Sequence, residues 1–340
     1  MRFSTASPPH IFVGRGVPQI MRRVLYAMLP GLAAQVWFFG WGVLIHIAIA
    51  SLVGLAAEAL MVALRGRSPR LFLADGSALV TAWLLAAALP ALSPWWVTAV
   101  GVGFAIVIAK HLYGGLGYNP FNPAMVGYVV VLISFPLEMS TWPAVHQGLS
   151  FADSAQVIFS GRLPPGLAAD ALSGATPLDT TKTQLGLGLP MTEISVSPVF
   201  GLIGGYGWEW VALAFLAGGL WLVASRVAAW QIPLGLLGSL ALLSGVFYAV
   251  DPQAHASPWF HVFSFSAVYG AFFIATDPVS ASTTPRGRLL FGAGVGGLTY
   301  LIRGFGGYPD GVAFAVLLMN IAAPTIDHYT QPRVFGARRG

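Results

Sequence analysis

Asp170-Ala171-Leu172-Ser173-Gly174-Ala175-Thr176 is the string in this chain whose residue types and spacing could do chemistry. A threonine hydroxyl is a weak nucleophile until a metal ion and a base activate it. To accept a phosphoryl group, Thr176 would have to enter the active site of another enzyme. That requires small neighbours and an extended backbone. Gly174 and Ala175 supply the first, and Pro177 holds the preceding residue away from the α region and supplies the second. Asp170 stands three residues before Ser173, where a modifying enzyme could read its charge. The plain alternative is a solvated loop with a Ser-Gly turn and a pre-proline threonine.

Other polar residues sit at the ends of apolar runs. Asn119 and Asn122 precede one run, and each amide offers two donors and an acceptor. Their spacing would place them on one face if that turn were helical. Capping beside Pro120 and Pro123 is the other reading. Asp75 and Asp277 flank two further runs and are the positions at which an ion path would be tested first. Their plain reading is that of interface residues starting turns. Glu58 can pair with Arg65, and His46 reads as a hydrogen-bonded packing residue. Lys110-His111 with Gly114-Gly115 reads as a tight connection. Gly292-x-Gly294-x-Gly296-Gly297 resembles a phosphate-binding fingerprint, but it lies in an apolar run, where helix packing is the stronger reading.

The elements that must position these residues are set by composition. The chain has 340 residues, 56% hydrophobic and 9% charged, with mean hydropathy +0.74. Soluble domains carry about 25% charged residues, so most of this chain belongs in lipid. There is no cysteine, so disulfides, thiolate metal sites and iron–sulfur ligation by this chain are excluded, and no metal site is expected. The net charge of +5 comes from scattered basic residues at run ends, with no nucleic-acid motif. No nucleic-acid partner is expected, and membrane topology explains the charges.

Ten apolar runs are legible: Val24–Phe39, Trp41–Leu64, Ser77–Leu92, Trp95–His111, Phe121–Leu137, Gly207–Ser225, Ile232–Val250, Trp259–Thr276, Leu289–Arg303 and Gly311–Ile326. With the N-terminus in the cytoplasm, alternation leaves only Arg162, Lys182 and Arg303 of the 17 basic residues outside. The positive-inside rule then places both termini in the cytoplasm and the Thr176 loop in the periplasm. The expected fold is an all-α polytopic membrane protein of about ten transmembrane helices. Two halves of five spans predict inverted repeats. The expected divisions are a cytoplasmic segment 1–23 kept in the mature protein, a membrane half 24–137, a long periplasmic loop 138–206, a second half 207–326 and a cytoplasmic tail 327–340.

The Asp170–Thr176 string resembles the Asp-x-x-Ser-Gly-Ala-Thr pattern of flavinylated membrane subunits. Ser7-Pro8-Pro9-His10, Asn119-Pro120-Phe121-Asn122-Pro123-Ala124 and Thr276-Asp277-Pro278 are similar to further signatures of the same family. The chain resembles the NqrB/RnfD family, which includes subunits of Rnf (Rsx) electron transport complexes and of sodium-translocating NADH:quinone reductases. The reductase subunit is usually longer at its N-terminus, so the length favours the Rnf branch.

The resemblance implies FMN joined to Thr176 as a phosphodiester, with Asp170, Ser173, Gly174 and Ala175 read by a flavin transferase. It also implies a noncovalent flavin, riboflavin or FMN, held by Asn119 and Asn122. The implied complex moves electrons between ferredoxin and NAD and couples this to Na+ or H+ movement. Its other subunits would be RnfA, RnfB, RnfC, RnfE and RnfG, and the chain alone would not be catalytic. The expected place is the bacterial inner membrane. An inverted-repeat transporter or a scaffold without redox role shares the topology.

Overall fold

The computed structural model describes residues 16–146, 148–166 and 172–332. Ser7–His10, Asp170 and Ala171 lie outside them, as do Arg2, Arg15, Arg333, Arg338 and Arg339. The fold is an all-α polytopic membrane protein, and every apolar run carries a helix. The first half holds α1 (Val17–Phe39), α2 (Gly42–Leu64), the short α3 (Pro69–Leu73), α4 (Ser77–Ala86), α5 (Trp95–Gly103) and α6 (Pro123–Ser134). α5 continues as a π-helix over Phe104–His111. The polar stretch holds α7 (Pro136–Ser140), α8 (Phe151–Ser160), α9 (Pro177–Gly186) and α10 (Met191–Ile194). The second half holds α11 (Trp208–Ala224), α12 (Gln231–Val250), α13 (Pro258–Phe263), α14 (Ser266–Tyr269), α15 (Pro285–Phe305) and α16 (Val312–Thr330). Among the described residues, α2, α12 and α16 are long and apolar enough to cross a membrane by length and composition.

One local signature starts several of these helices. Asn122-Pro123, Thr176-Pro177, Ser257-Pro258 and Thr284-Pro285 each place an oxygen-bearing cap before a proline. The cap oxygen accepts from the backbone N–H three residues on, of Met125, Asp179, Phe260 and Gly287. The proline has no N–H to leave unpaired, and its φ already suits the first turn. Each such cap contributes about 1 kcal/mol.

Three runs depart from the simple reading. The helix of Ser77–Leu92 stops at Ala86, and the chain turns while still apolar and largely buried. The run Trp259–Thr276 is broken at Ser264–Phe265, where Phe265 takes φ 55°. Beyond the break α14 passes into a π-helix over Gly270–Ile274. The polar stretch 138–206 is helical in pieces rather than a bare loop.

The two halves pack by the same scheme. α2 packs on α4 and α5, and α12 packs on α13, α14 and α15 in the same order. The π segment after α5 lies against α6 as α15 lies against α16. Across the halves, α1 meets α11 and α6 meets α16. Met28, Leu85, Val97, Phe215, Leu236 and Phe291 fill the interior.

The contact of α12 with α15 is close because its residues are small. A Cβ on Gly292 would overlap the Ile232 carbonyl oxygen, and one on Gly296 would overlap that of Leu236. The glycine string is therefore a helix-packing seam. Gly296→Ala is expected to cost about 1–3 kcal/mol by forcing the helices apart. Gly304→Ala, which has no atom within 4 Å of its Cβ position, is expected to be neutral or slightly stabilising. Thermal melting in detergent of the two variants checks this.

Candidate functional site

Thr176 has φ −70° and ψ 156°, the extended backbone its following proline predicts. It caps α9, its Oγ1 accepting from the Asp179 N–H at 3.1 Å. The residues before it are tied down. Ser173–Gly174 forms a two-residue strand β2, antiparallel to the strand β1 (Trp142–Pro143), with Gly174 opposite Trp142. Next to it the Ala144 N–H donates to the Leu172 carbonyl at 3.1 Å. The residues after it are docked. Pro177 is buried with Gly205 packed on it, and the Lys182 ammonium donates to the Arg303 carbonyl at 3.0 Å. Partial burial lowers the Lys182 pKa. Ala175 is exposed and Thr176 half-buried. Thr176 thus rides on a docked helix end.

Thr176, Pro177 and Asp179 rim a cavity of about 510 Å³. Small-molecule sites span roughly 300–1,000 Å³. Residues of α6, α11, α14 and α16 line it, so both halves contribute. Its walls are largely apolar, with Tyr128, Trp142, Trp208, Phe265, Tyr269 and Tyr308 among them, while Ser140, Ser264, Ser266 and Asp310 add a few polar groups. Trp142 and Trp208 meet edge to face with centroids 4.9 Å apart, and Phe265 stacks on Tyr269 at 5.3 Å.

The break that shapes this cavity is held by Arg303. Its guanidinium donates to the His261 carbonyl at 2.7 Å, to Ser266 Oγ at 2.9 Å and to Asp310 Oδ1 at 3.1 Å. The sequence alone offers Arg303 only as an outside charge.

At the other end of α6, Asn119, Asn122 and Asp277 come together around a second cavity of about 110 Å³, with Lys110, Ser77 and Thr276. The turn holding the asparagines is not helical. Asn122 is the α6 cap, and its Nδ2 donates to the Ile274 carbonyl at 3.1 Å. Its N–H donates to Asn320 Oδ1 at 3.0 Å, and Asn320 Nδ2 donates to the Ser280 carbonyl at 3.1 Å. Asn122 thus joins α6 to elements of the other half. Asn119 Nδ2 donates to the Phe121 carbonyl at 3.0 Å. Asp277 accepts from Ser280 Oγ at 2.7 Å, and Asp75 accepts from the Ser77 N–H at 2.7 Å. Both acids bond within turns, and Asp277 also lines the second cavity.

Glu58 does not pair with Arg65. Its Oε2 lies 2.8 Å from Lys110 Nζ and 3.0 Å from His111 Nε2, all three side chains buried. Arg65 instead donates to the carbonyls of His111 and Gly114. Gly114 and Gly115 have φ 132° and 101° and make the turn only glycine adopts freely. His46 is a packing residue, with Nδ1 2.7 Å from Thr98 Oγ1. The Glu58–Lys110 partnership spans 52 positions, and no local pattern could have announced it.

A model of the NQR2, RnfD, RnfE family matches residues 4–336. The chain is 52% identical to the D component of an ion-translocating oxidoreductase complex from Shigella dysenteriae serotype 1 over 352 aligned positions, covering 100% of both chains. It is 51% identical, with the same coverage, to the protein of that name in Escherichia coli strain SMS-3-5. The chain belongs to the NQR2, RnfD, RnfE family.

Asn122→Ala removes a cap and a buried bond between the halves. It is expected to lower stability by about 2 kcal/mol, read as a lower melting temperature in detergent. Asn119→Ala loses a bond within its own turn and is expected to cost less than half as much.

Proposed function

We propose that this chain is the membrane-integral flavoprotein subunit of an ion-translocating, Rnf-type ferredoxin:NAD oxidoreductase. Thr176 carries FMN as a phosphodiester, with its ring in the aromatic cavity, and a second, noncovalent flavin lies at Asn119 and Asn122. The observation that carries the reading is the threonine of the flavinylation-like string standing on the rim of an aromatic cavity between the two halves.

The residues present fit FMN. Isoalloxazine is flat and largely apolar, and it needs only a few placed donors. Tyr269, Phe265 and Trp208 offer faces, while Ser264, Ser266 and Ser140, whose hydroxyls donate to the Phe260, Ser264 and Leu137 carbonyls, offer oxygens as acceptors. Thr176 caps a ten-residue helix, so a phosphodiester on its oxygen would meet the positive end of the helix dipole. A bound flavin supplies reversible electron transfer. The chain's own part is to hold the phosphate at the start of α9, stack the ring and keep water from it.

The second cavity encloses about 110 Å³, below the range of whole-ligand sites. It therefore suits one polar edge of a flavin rather than the entire cofactor. Asn119, Lys110 and Thr276 supply polar groups there, and Phe272, Phe273 and Leu84 supply apolar walls. Asn122 is spoken for by Met125, Ile274 and Asn320, so it shapes this site through the backbone it holds.

The names and full-length coverage of the relatives favour an Rnf-type complex over a quinone reductase. The remaining subunits RnfA, RnfB, RnfC, RnfE and RnfG are the proposed partners, and a flavin transferase matures the chain. Electron flow is coupled to Na+ or H+ movement. The Thr176 end faces the periplasm and the Lys110 end the cytoplasm of a bacterial inner membrane, the arrangement the basic residues favour.

The test is the chain made in its own host, with the transferase present, run on a denaturing gel. Flavin fluorescence is expected to survive denaturation in the native sequence and to vanish in Thr176→Ala. Fluorescence retained in Thr176→Ala, or absent from the native sequence, would overturn the covalent assignment.

A further inference from the structure

Lys110 is a buried cation to which the proposed function gives no specific task. Its side chain is 2% exposed. Its ammonium donates to Glu58 Oε2 and to Ser77 Oγ, each at 2.8 Å. An ammonium has three donors, and these two bonds leave one for the cavity that the same side chain lines with Asn119 and Thr276. Stability is a poor reason to keep such a pair. Burying two ions costs several kcal/mol each, and an apolar replacement of similar volume is often at least as stable.

The second half repeats the device at the opposite end. Arg303 sits near the end of α15 as Lys110 sits near the end of the π segment after α5, each in the fourth span of its half. Each reaches a serine of the third span of its own half, Ser77 or Ser266. Each is paired with a carboxylate, Glu58 or Asp310. Each cluster borders one of the two cavities. A buried cation, serine and carboxylate next to a cavity thus recur in both halves, Lys110 lining its cavity directly and Arg303 reaching its own through Ser266 and Asp310.

We propose that Lys110 is the fixed positive charge of the smaller cavity, that it faces the polar edge of the flavin bound there, and that it sets that flavin's midpoint potential. Glu58 and Ser77 hold the ammonium in place, His111 contacts Glu58 from the other side, and Glu58, with Asp277 on the same cavity wall, partly offsets its charge. This rests on the reading that the smaller cavity takes the noncovalent flavin. Reduction of a flavin places negative charge on the pyrimidine edge of the ring. A cation held there stabilises the reduced form and raises the potential, more so in a poorly polarisable interior than in water.

The experiment is spectroelectrochemical titration of the purified complex, with flavin content measured first. Lys110→Met is expected to keep the noncovalent flavin and lower its potential by at least about 30 mV, a tenfold shift toward the oxidised form for a two-electron couple. Lys110→Arg is expected to restore the value. Glu58→Gln is expected to raise it, because the ammonium then loses its offsetting charge. The potential of the flavin on Thr176 is expected to stay in place in all three.

A noncovalent flavin that is retained with unchanged potential in both Lys110→Met and Glu58→Gln would overturn the proposal. Should Lys110→Met fail to accumulate, the direction of the Glu58→Gln shift decides it alone. A native complex with covalent flavin but no noncovalent flavin attributable to this chain would remove the underlying reading, and the proposal with it.

Discussion

In lipid, a backbone carbonyl or N–H without a partner costs several kcal/mol, so a broken helix survives only if something inside the protein satisfies its freed groups. The rest of this structure depends on how that condition is met at Ser264–Phe265. Arg303 spans the break, donating to the His261 carbonyl on one side and the Ser266 hydroxyl on the other with Asp310 behind, while the Ser264 and Ser266 hydroxyls donate to the Phe260 and Ser264 carbonyls. With those groups satisfied, α13 and α14 can be offset rather than continuous. The offset places Ser264, Phe265, Ser266 and Tyr269 in the wall of a cavity instead of inside a closed helix.

The other elements build on that offset. β1 and β2 pin the chain before Thr176, and Pro177 and Lys182 pin α9 after it. The hydroxyl is thereby fixed at the rim of the cavity. Beyond the break, the π-helix carries Gly270 and Ile274 toward the large cavity and Phe272 and Phe273 toward the small one. Asn122 ties the same segment to α6 and, through Asn320, to α16. A single broken span thus borders both cavities, and its position is shared between the halves. A cofactor placed between halves is a physical reason for a repeat fold to keep irregular backbone at membrane depth.

Much of this was legible in the sequence, because lipid leaves few choices. Every apolar run became a helix, since a buried backbone must pair with itself. The residues before Pro123, Pro177, Pro258 and Pro285 became caps, since proline both favours a first helical turn and bars the residue before it from the α region. The break at Ser264–Phe265 was not legible: neither residue is a helix breaker, and what permits it lies on Arg303, far along the chain. The early stop of α4 was hidden for a related reason, as Ala87–Leu92 stays apolar throughout. The partner of Glu58 was misread because Arg65 is close in sequence while Lys110 is close in space. Thr176 was singled out by its neighbours' types, but its docking required contacts to Gly205 and Arg303 that no local pattern encodes.

A flavin on Thr176, as proposed above, would lie enclosed between the two halves rather than in water. The most direct measurement is iodide quenching of the covalent flavin fluorescence in the folded protein and after denaturation in SDS. The account predicts a cofactor shielded from iodide when folded and accessible once unfolded. Equal quenching in both states would place the flavin in solvent and contradict the account.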